Sequence, residues 1–197
     1  MDFFEVIRKR CSVRRFSSEP VREDDLHLML ETARLAPSAE NIQPWRFIVI
    51  RDQELKEKLR DLVEASISAQ VEAFGSELER RKLQERRFYA TFFADAPVVI
   101  AVATYPFPRA LPGQGSIFNQ GLQSVAAAIT QLHLAATALG YGSCWTTLPL
   151  EFAREEMEAL LEMEPPWFLA ALVAVGLPAE APPPRPRKPL EEIVSFR

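Results

Sequence analysis

Residues 35–45 read Leu35-Ala36-Pro37-Ser38-Ala39-Glu40-Asn41-Ile42-Gln43-Pro44-Trp45. Upstream, Leu26, Met29, Leu30, Ala33 and Leu35 recur at helical spacing. Downstream, Arg46-Phe47-Ile48-Val49-Ile50 is β-branched and aromatic and predicts a strand from Trp45 to Ile50. Between them, two prolines bar continuation of the helix. Ser38, Asn41 and Gln43 each carry groups that both donate and accept hydrogen bonds. A polar junction between two rigid elements can present those groups to the edge of a ligand; the same residues also suit an ordinary helix-to-strand connection.

Moving toward the N-terminus, Asp2-Phe3-Phe4-Glu5 has the form of a helix-capping box, with Phe3, Phe4, Val6 and Ile7 as an apolar face. Arg10-Cys11-Ser12-Val13-Arg14-Arg15-Phe16 then reads as an extended segment dense in donors. Alternation along an extended chain puts Arg10, Ser12 and Arg14 on one side and Arg15 on the other. Arg22-Glu23-Asp24-Asp25 opens the next helix with its acids at the positive end of the dipole. His27 within it reads as a surface residue.

Toward the C-terminus, Leu55, Leu59 and Leu62 predict a helix over 53–63. Residues 66–90 are helical in pattern, interrupted at Gly75, and the charge run from Glu77 to Arg87 reads as a solvated face. Val98 to Ala103 is a buried strand. Residues 105–115, rich in proline with Gly113 and Gly115, form a loop suited to a lid. Phe118 to Leu139 is a long, Ala-rich helix almost without charge, as expected of a helix buried or shared with a second chain, and His133 within it reads as a hydrogen-bonded core residue. Gly140 suits a left-handed helix terminus, and residues 140–149 continue extended. A helix over 152–161, a buried strand over 168–175 closed by Gly176, and a proline-rich extended tail over 178–189 follow. Ile193 to Phe196 is expected to add a strand at the end.

The 197 residues, 48% hydrophobic and 25% charged, fit one globular domain spanning 1–197. A net charge of −4 gives no general attraction to nucleic acid or to an anionic membrane surface, and Glu77, Glu79 and Glu85 interleave with Arg80, Arg81 and Lys82. No apolar run is long enough to span a bilayer, and Arg8, Lys9 and Arg10 interrupt any leader-like start. Cys11 and Cys144 are widely separated, without metal-ligand spacing, which points to packed thiols in a reducing cytoplasm. No glycine-rich nucleotide loop, Gly-x-Ser-x-Gly motif or His/Cys cluster is present. With two histidines, both in helix interiors, reactivity is expected to come from a bound cofactor.

The ordered set Arg10 to Phe16, Pro20-Val21, Ala36 to Trp45 and the strand after it resembles the nitroreductase family of flavin enzymes. The resemblance implies an α+β fold, a mixed sheet wrapped by helices, in an intertwined homodimer with the C-terminal tail exchanged onto the partner. It implies FMN as cofactor and NADH or NADPH as hydride donor to flavin N5, with a nitroaromatic, quinone or similar small acceptor. Reductive dehalogenation, oxygen-dependent flavin breakdown and non-enzymatic flavin binding are the alternatives within reach of the same fold. Carried over position by position, Arg10 and Ser12 hold the FMN phosphate, with Cys11 between them at a variable position. Arg14 approaches the N1 and O2 edge of the ring. Pro37, Ser38 and Asn41 line the pyrimidine edge, and the backbone of Trp145, Thr146, Thr147 and Leu148 faces N5. Arg187, with Arg185 as a second candidate, matches a closing motif that reaches the phosphate; the bare residues also read as a solvated basic linker. No catalytic side chain and no metal ligand is implied. Thr147-Leu148-Pro149 departs from a family pattern that often has glycine nearby, and no flavin-directed residue aligns within 66–95.

Overall fold

A computed structural model describes residues 2–73, 76–106, 120–180 and 186–197. The expected loop from 107 to 115, the first two residues of the expected helix at 118, Gly75 and Arg185 lie outside them. In chain order the elements are α1 (Phe3–Lys9), α2 (Glu23–Arg34), β1 (Arg46–Ile50), α3 (Gln53–Ala73), α4 (Glu77–Thr91), β2 (Val98–Thr104), α5 (Gln120–Ala138), β3 (Gly142–Thr146), α6 (Leu150–Leu160) and β4 (Phe168–Gly176).

The four strands lie in the order β1-β2-β4-β3, and every neighbouring pair is antiparallel. This corrects the expectation of a mixed sheet. The reason is visible between β1 and β2. A single crossover helix would return the chain parallel, but α3 and α4 form a helical hairpin, closed by the ion pair of Glu64 with Arg87. Two helix lengths bring the chain into β2 from the opposite end. The parallel contact among the described residues is the isolated bridge between Ser12 and Ser143, at the outer edge of β3.

Alternation along the strands divides the core in two. Val98, Ile100, Val102, Ala171, Val173 and Val175 pack against Leu26, Met29 and Ala33 of α2 and Val125, Ile129 and Leu132 of α5. On the other face Val99, Ala101, Leu169, Leu172 and Ala174 meet Leu59, Val63 and Ile67 of α3, Leu83 of α4 and Met157 of α6. Leu169 and Leu172 share a face although three residues apart. A bulge allows this: Val102 pairs with Ala171 and Ala103 with Leu169, which leaves Ala170 as the extra residue.

Local chemistry sets the helix ends. Asp2 accepts from the Glu5 amide at 3.0 Å and Ser76 from that of Glu79 at 3.2 Å, so each caps its helix. Gly140, at φ +88°, ends α5 in the left-handed region glycine enters without strain. The helix expected over 53–63 runs on to Ala73, because Leu59, Val63 and Ile67 carry the same buried stripe one turn further. The expected terminal strand is absent: residues 190–192 form a short 3-10 turn, and Leu190, Ile193 and Phe196 are exposed and pair with no strand of their own chain, although the outer edge of β1 is unpaired among the described residues.

Candidate functional site

The segment from Arg10 to Ser17 lies along the free edge of β3. Ser12 bridges Ser143, the Val13 amide donates to the Ser143 carbonyl at 3.0 Å, and beyond it the Ser17 amide donates to Leu177 O at 2.9 Å. Val13 is buried and rests on Gly142, where a Cβ would stand 2.7 Å from the valine side chain, so this approach requires glycine. With Val13 turned inward, Ser12 is exposed and Arg10, Cys11 and Arg14 are half-buried.

Below the segment is a small polar network. His133, on α5, lies 2.6 Å by Nδ1 from the Ser143 hydroxyl. Burial pushes its pKa down to about 4, and the nearby positive charge of Arg10 pushes the same way, so the ring is neutral at pH 7. Burial raises the pKa of the Cys144 thiol, while Arg14, the Ser12 hydroxyl and Arg10 each pull it back. Arg10, Ser12 and Arg14 thus act on one spot of β3.

Half burial without a carboxylate sets this spot apart, since other cations without an ion pair among the described residues, such as Arg8, Arg46 and Arg154, are exposed. Lys9, Arg15, Arg22, Arg34, Arg51, Lys58, Arg81, Arg86 and Arg87 each face a carboxylate. Among the described residues, Arg10 and Arg14 have no such partner and donate to no protein acceptor. Arg14 instead stacks on aromatic faces, its guanidinium carbon 5.4 Å from the centre of the Tyr89 ring and 5.8 Å from that of Phe92. Half-buried guanidinium groups left in this state suit an anionic or electron-rich planar ligand.

Trp145 and Thr146 end β3, with the Trp145 side chain exposed and Thr146 buried; Thr147 and Leu148 form the turn into α6. The carbonyls of Thr147 and Leu148 accept from Leu150 and Glu151, whereas their own N–H groups donate to no acceptor among the described residues.

The loop at 37–43 lies elsewhere. Pro37 and Asn41 are exposed and Ser38 is half-buried. The Ser38 hydroxyl accepts from the Gln43 amide at 2.9 Å, and the Ala39 amide donates to the Ser124 hydroxyl at 3.2 Å. Glu40, Asn41 and Gln43 all have positive φ, between 50° and 56°, a conformation asparagine tolerates and the other two hold at some strain. Ser124 marks this end of α5 and His133 the other. Nine residues of helix separate them, about 13 Å. One chain therefore groups Arg10, Cys11, Ser12 and Arg14 with β3 but keeps Pro37, Ser38 and Asn41 apart from them. Arg187 is exposed in the tail, its Nη1 3.3 Å from the Pro186 carbonyl oxygen, and Arg185 lies outside the described residues.

His133 is the hydrogen-bonded core residue expected, but three features were not read from the sequence: Ser143 as its partner, Ser124 as anchor of the loop, and the Tyr89–Phe92 platform beneath Arg14. Ser124 is a polar residue in an apolar helix, a pattern that singles it out. The other two follow only from tertiary packing.

With this geometry in place, comparison with known proteins is decisive. The sequence matches the nitroreductase family over residues 7–177. The chain belongs to the nitroreductase family. A BluB-like flavoprotein from Clostridium difficile 630 superposes with a TM-score of 0.88 at 34% identity, over 100% of this chain and 99% of that one. Oxidised iodotyrosine deiodinase bound to FMN and 3-iodo-L-tyrosine gives a TM-score of 0.77 at 30% identity, over 100% and 99%. An NADH dehydrogenase from Thermus thermophilus is 32% identical over 96% of this chain and 93% of its own length. The expected family and its α+β architecture are thereby met. Among the described residues there is no group of side chains suited to a metal ion and no helix long and apolar enough to cross a membrane.

Proposed function

We propose that this chain, as one FMN-binding domain, is an oxidoreductase that takes hydride from NADH or NADPH and reduces a small organic acceptor such as a nitroaromatic or a quinone. The observation that carries this reading is the pair of half-buried, unpaired guanidinium groups, Arg10 and Arg14, flanking Ser12 along β3. The donor set fits FMN: Arg10 and the Ser12 hydroxyl suit a dianionic phosphate, and Arg14 suits the electron-rich N1–C2=O edge of the ring. The free amides of Thr147 and Leu148 suit an acceptor nitrogen. When bound, FMN would supply hydride acceptance and electron release, chemistry that no side chain of this protein provides. The residues bind and orient it, and neutral His133 holds Ser143 in register without adding a third positive charge.

The remaining ligand groups call for a second copy of the chain. The Ser38 loop meets α5 at Ser124 and Arg10 lies near His133, two positions about 13 Å apart along the helix, and Phe3, Phe4 and Ile7 of α1 together with Leu190, Ile193, Val194 and Phe196 are exposed apolar side chains. A homodimer in which the tail crosses onto the partner would cover these and bring Arg187 and the Ser38 loop of one copy toward the arginines of the other. Two free cysteines suit a reducing, cytoplasmic setting.

The visible spectrum of purified protein tests this directly. Flavin absorbance that bleaches with NADH or NADPH and returns on addition of an acceptor is expected; colourless protein that takes up no FMN refutes it. Similarity to a deiodinase over nearly the whole chain favours reductive dehalogenation as a second reading, which an acceptor screen with halogenated and nitrated phenols separates from the first.

A further inference from the structure

Arg14 reaches the β3 edge from a flexible side chain, yet no carboxylate or carbonyl among the described residues fixes its guanidinium. What does stand against it is aromatic: Tyr89 at 5.4 Å and Phe92 at 5.8 Å from their ring centres. These two residues lie on a part of the fold that is itself held. Arg86 pairs with Glu151 of α6 at 2.6 Å, Arg87 pairs with Glu64 of α3, and Ala90 and Phe92 are buried. Phe88 packs edge-on against Tyr89 at 5.4 Å and tilted against Phe92 at 6.2 Å, which fixes the Tyr89 ring from behind.

A carboxylate in place of that platform would fix Arg14 too, but would neutralise it. An aromatic face attracts the cation while leaving its five N–H donors and its full charge available to a ligand. We infer that Tyr89 is the positioning residue for Arg14: its ring holds the guanidinium at the angle from which it meets the flavin ring, and so sets the redox balance of the bound cofactor. The inference rests on the proposed contact of Arg14 with the flavin. It assigns a role to the end of α4, within the stretch where the sequence aligned no flavin-directed residue.

A guanidinium at N1–C2=O favours reduced over oxidised flavin, because the reduced ring carries negative charge there. Losing its orientation therefore weakens binding of reduced FMN more than of oxidised FMN and lowers the midpoint potential. The experiment measures midpoint potentials of FMN-loaded protein for wild type, Tyr89→Leu, Tyr89→Phe, Arg14→Ala and the double variant Arg14→Ala/Tyr89→Leu. Leucine fills the space without a π face, and Tyr89 is nearly half exposed, at 47%, so the fold has little to lose. Expected is a threefold to tenfold loss in relative affinity for reduced FMN in Tyr89→Leu, a fall of about 15–30 mV for a two-electron couple. Tyr89→Phe should retain the wild-type potential, since phenylalanine keeps the face. In the Arg14→Ala background, Tyr89→Leu should produce no further change. A wild-type potential in Tyr89→Leu beside a lowered one in Arg14→Ala overturns the role of Tyr89 while leaving the flavin contact standing. Equal falls from Tyr89→Leu with and without Arg14 also overturn it. An unchanged potential in Arg14→Ala removes the flavin contact, and the inference with it.

Discussion

His133 makes the stability of the protein depend on pH through its place under β3, beside the edge proposed to bind flavin. Its pKa is depressed from 6.5 to about 4 by burial, with Arg10 contributing. The unfolded chain therefore binds a proton at a pH where the folded chain does not, and stability rises with pH between about 4 and 6.5 and is lost as pH falls through that window. Two and a half pH units at about 1.4 kcal/mol each give roughly 3 kcal/mol in full, of which about 2 kcal/mol is already lost at pH 5. The clean comparison is with His133→Gln, which can still hydrogen-bond Ser143 but does not titrate. Its own constant effect cancels when each protein is compared with itself at two pH values, and exposed carboxylates such as Glu5 and Glu31 titrate alike in both. Urea unfolding at pH 7 and pH 5 should show the wild type losing about 2 kcal/mol more than the variant. Parallel losses in the two proteins would mean that His133 is hydrated or already charged, and that the buried network under β3 is misdescribed.

Arg10→Ala and Arg187→Ala should each weaken FMN binding by about 1.5–3 kcal/mol, the range for hydrogen bonds to charged groups, and barely affect riboflavin, which lacks the phosphate; equal losses for both ligands in fluorescence titration would take these residues off the phosphate. Arg14→Ala should lower the midpoint potential by up to roughly 30–65 mV, whereas Arg15→Ala, whose side chain faces Glu180 and Phe88, should leave it in place. Light scattering should find a dimer; a stable monomer at full FMN occupancy would refute the composite site. Gly142→Ala should destabilise the fold by about 1–3 kcal/mol, through the clash with Val13, and loosen the Arg10–Arg14 segment, which chemical denaturation of the apoprotein reads out.

Much of this architecture was legible because periodicity reports burial. Leu26, Met29 and Ala33 on α2, and the unbroken apolar runs of β2 and β4, are what a sheet covered on both faces requires. The left-handed turn at Gly140 was readable from backbone sterics alone. Strand direction was not, since it depends on α3 and α4 packing as a hairpin, with Leu83 in one cluster with Leu59, Val63 and Ile67 and the Glu64–Arg87 pair at its surface. Arg10, Ser12 and Arg14 act together on β3, with Val13 between them resting on Gly142, whereas Arg15, expected on the opposite side, stacks on Phe88 beside the ring under Arg14. Residues 37–43 carried the motif but not its conformation: three positive φ values in five residues follow from how Ser38 and Ser124 bind the loop's amides, not from local propensity. Ile193-Val194 has strand propensity, but propensity does not say where a tail docks, and this one does not reach the unpaired edge of β1 in its own chain.

The charge arrangement explains why these choices belong together. Two guanidinium groups held near one strand repel each other, and a protonated imidazole at His133 would add a third charge within the same few residues. Burial keeps that ring neutral, so it can serve Ser143 as a hydrogen-bond partner without strengthening the repulsion. The protein supplies carboxylates to the neighbouring Lys9 and Arg15 but not to Arg10 or Arg14, so the proposed FMN phosphate would be what relieves their charge. An anion at Arg10 should in turn weaken that residue's pull on His133 and raise its pKa. With two histidines in the chain, NMR can follow each imidazole separately. FMN should move the buried His133 titration upward, and riboflavin, which lacks the phosphate, should not. A His133 titration indifferent to FMN would place the phosphate away from Arg10, whatever the protein's colour.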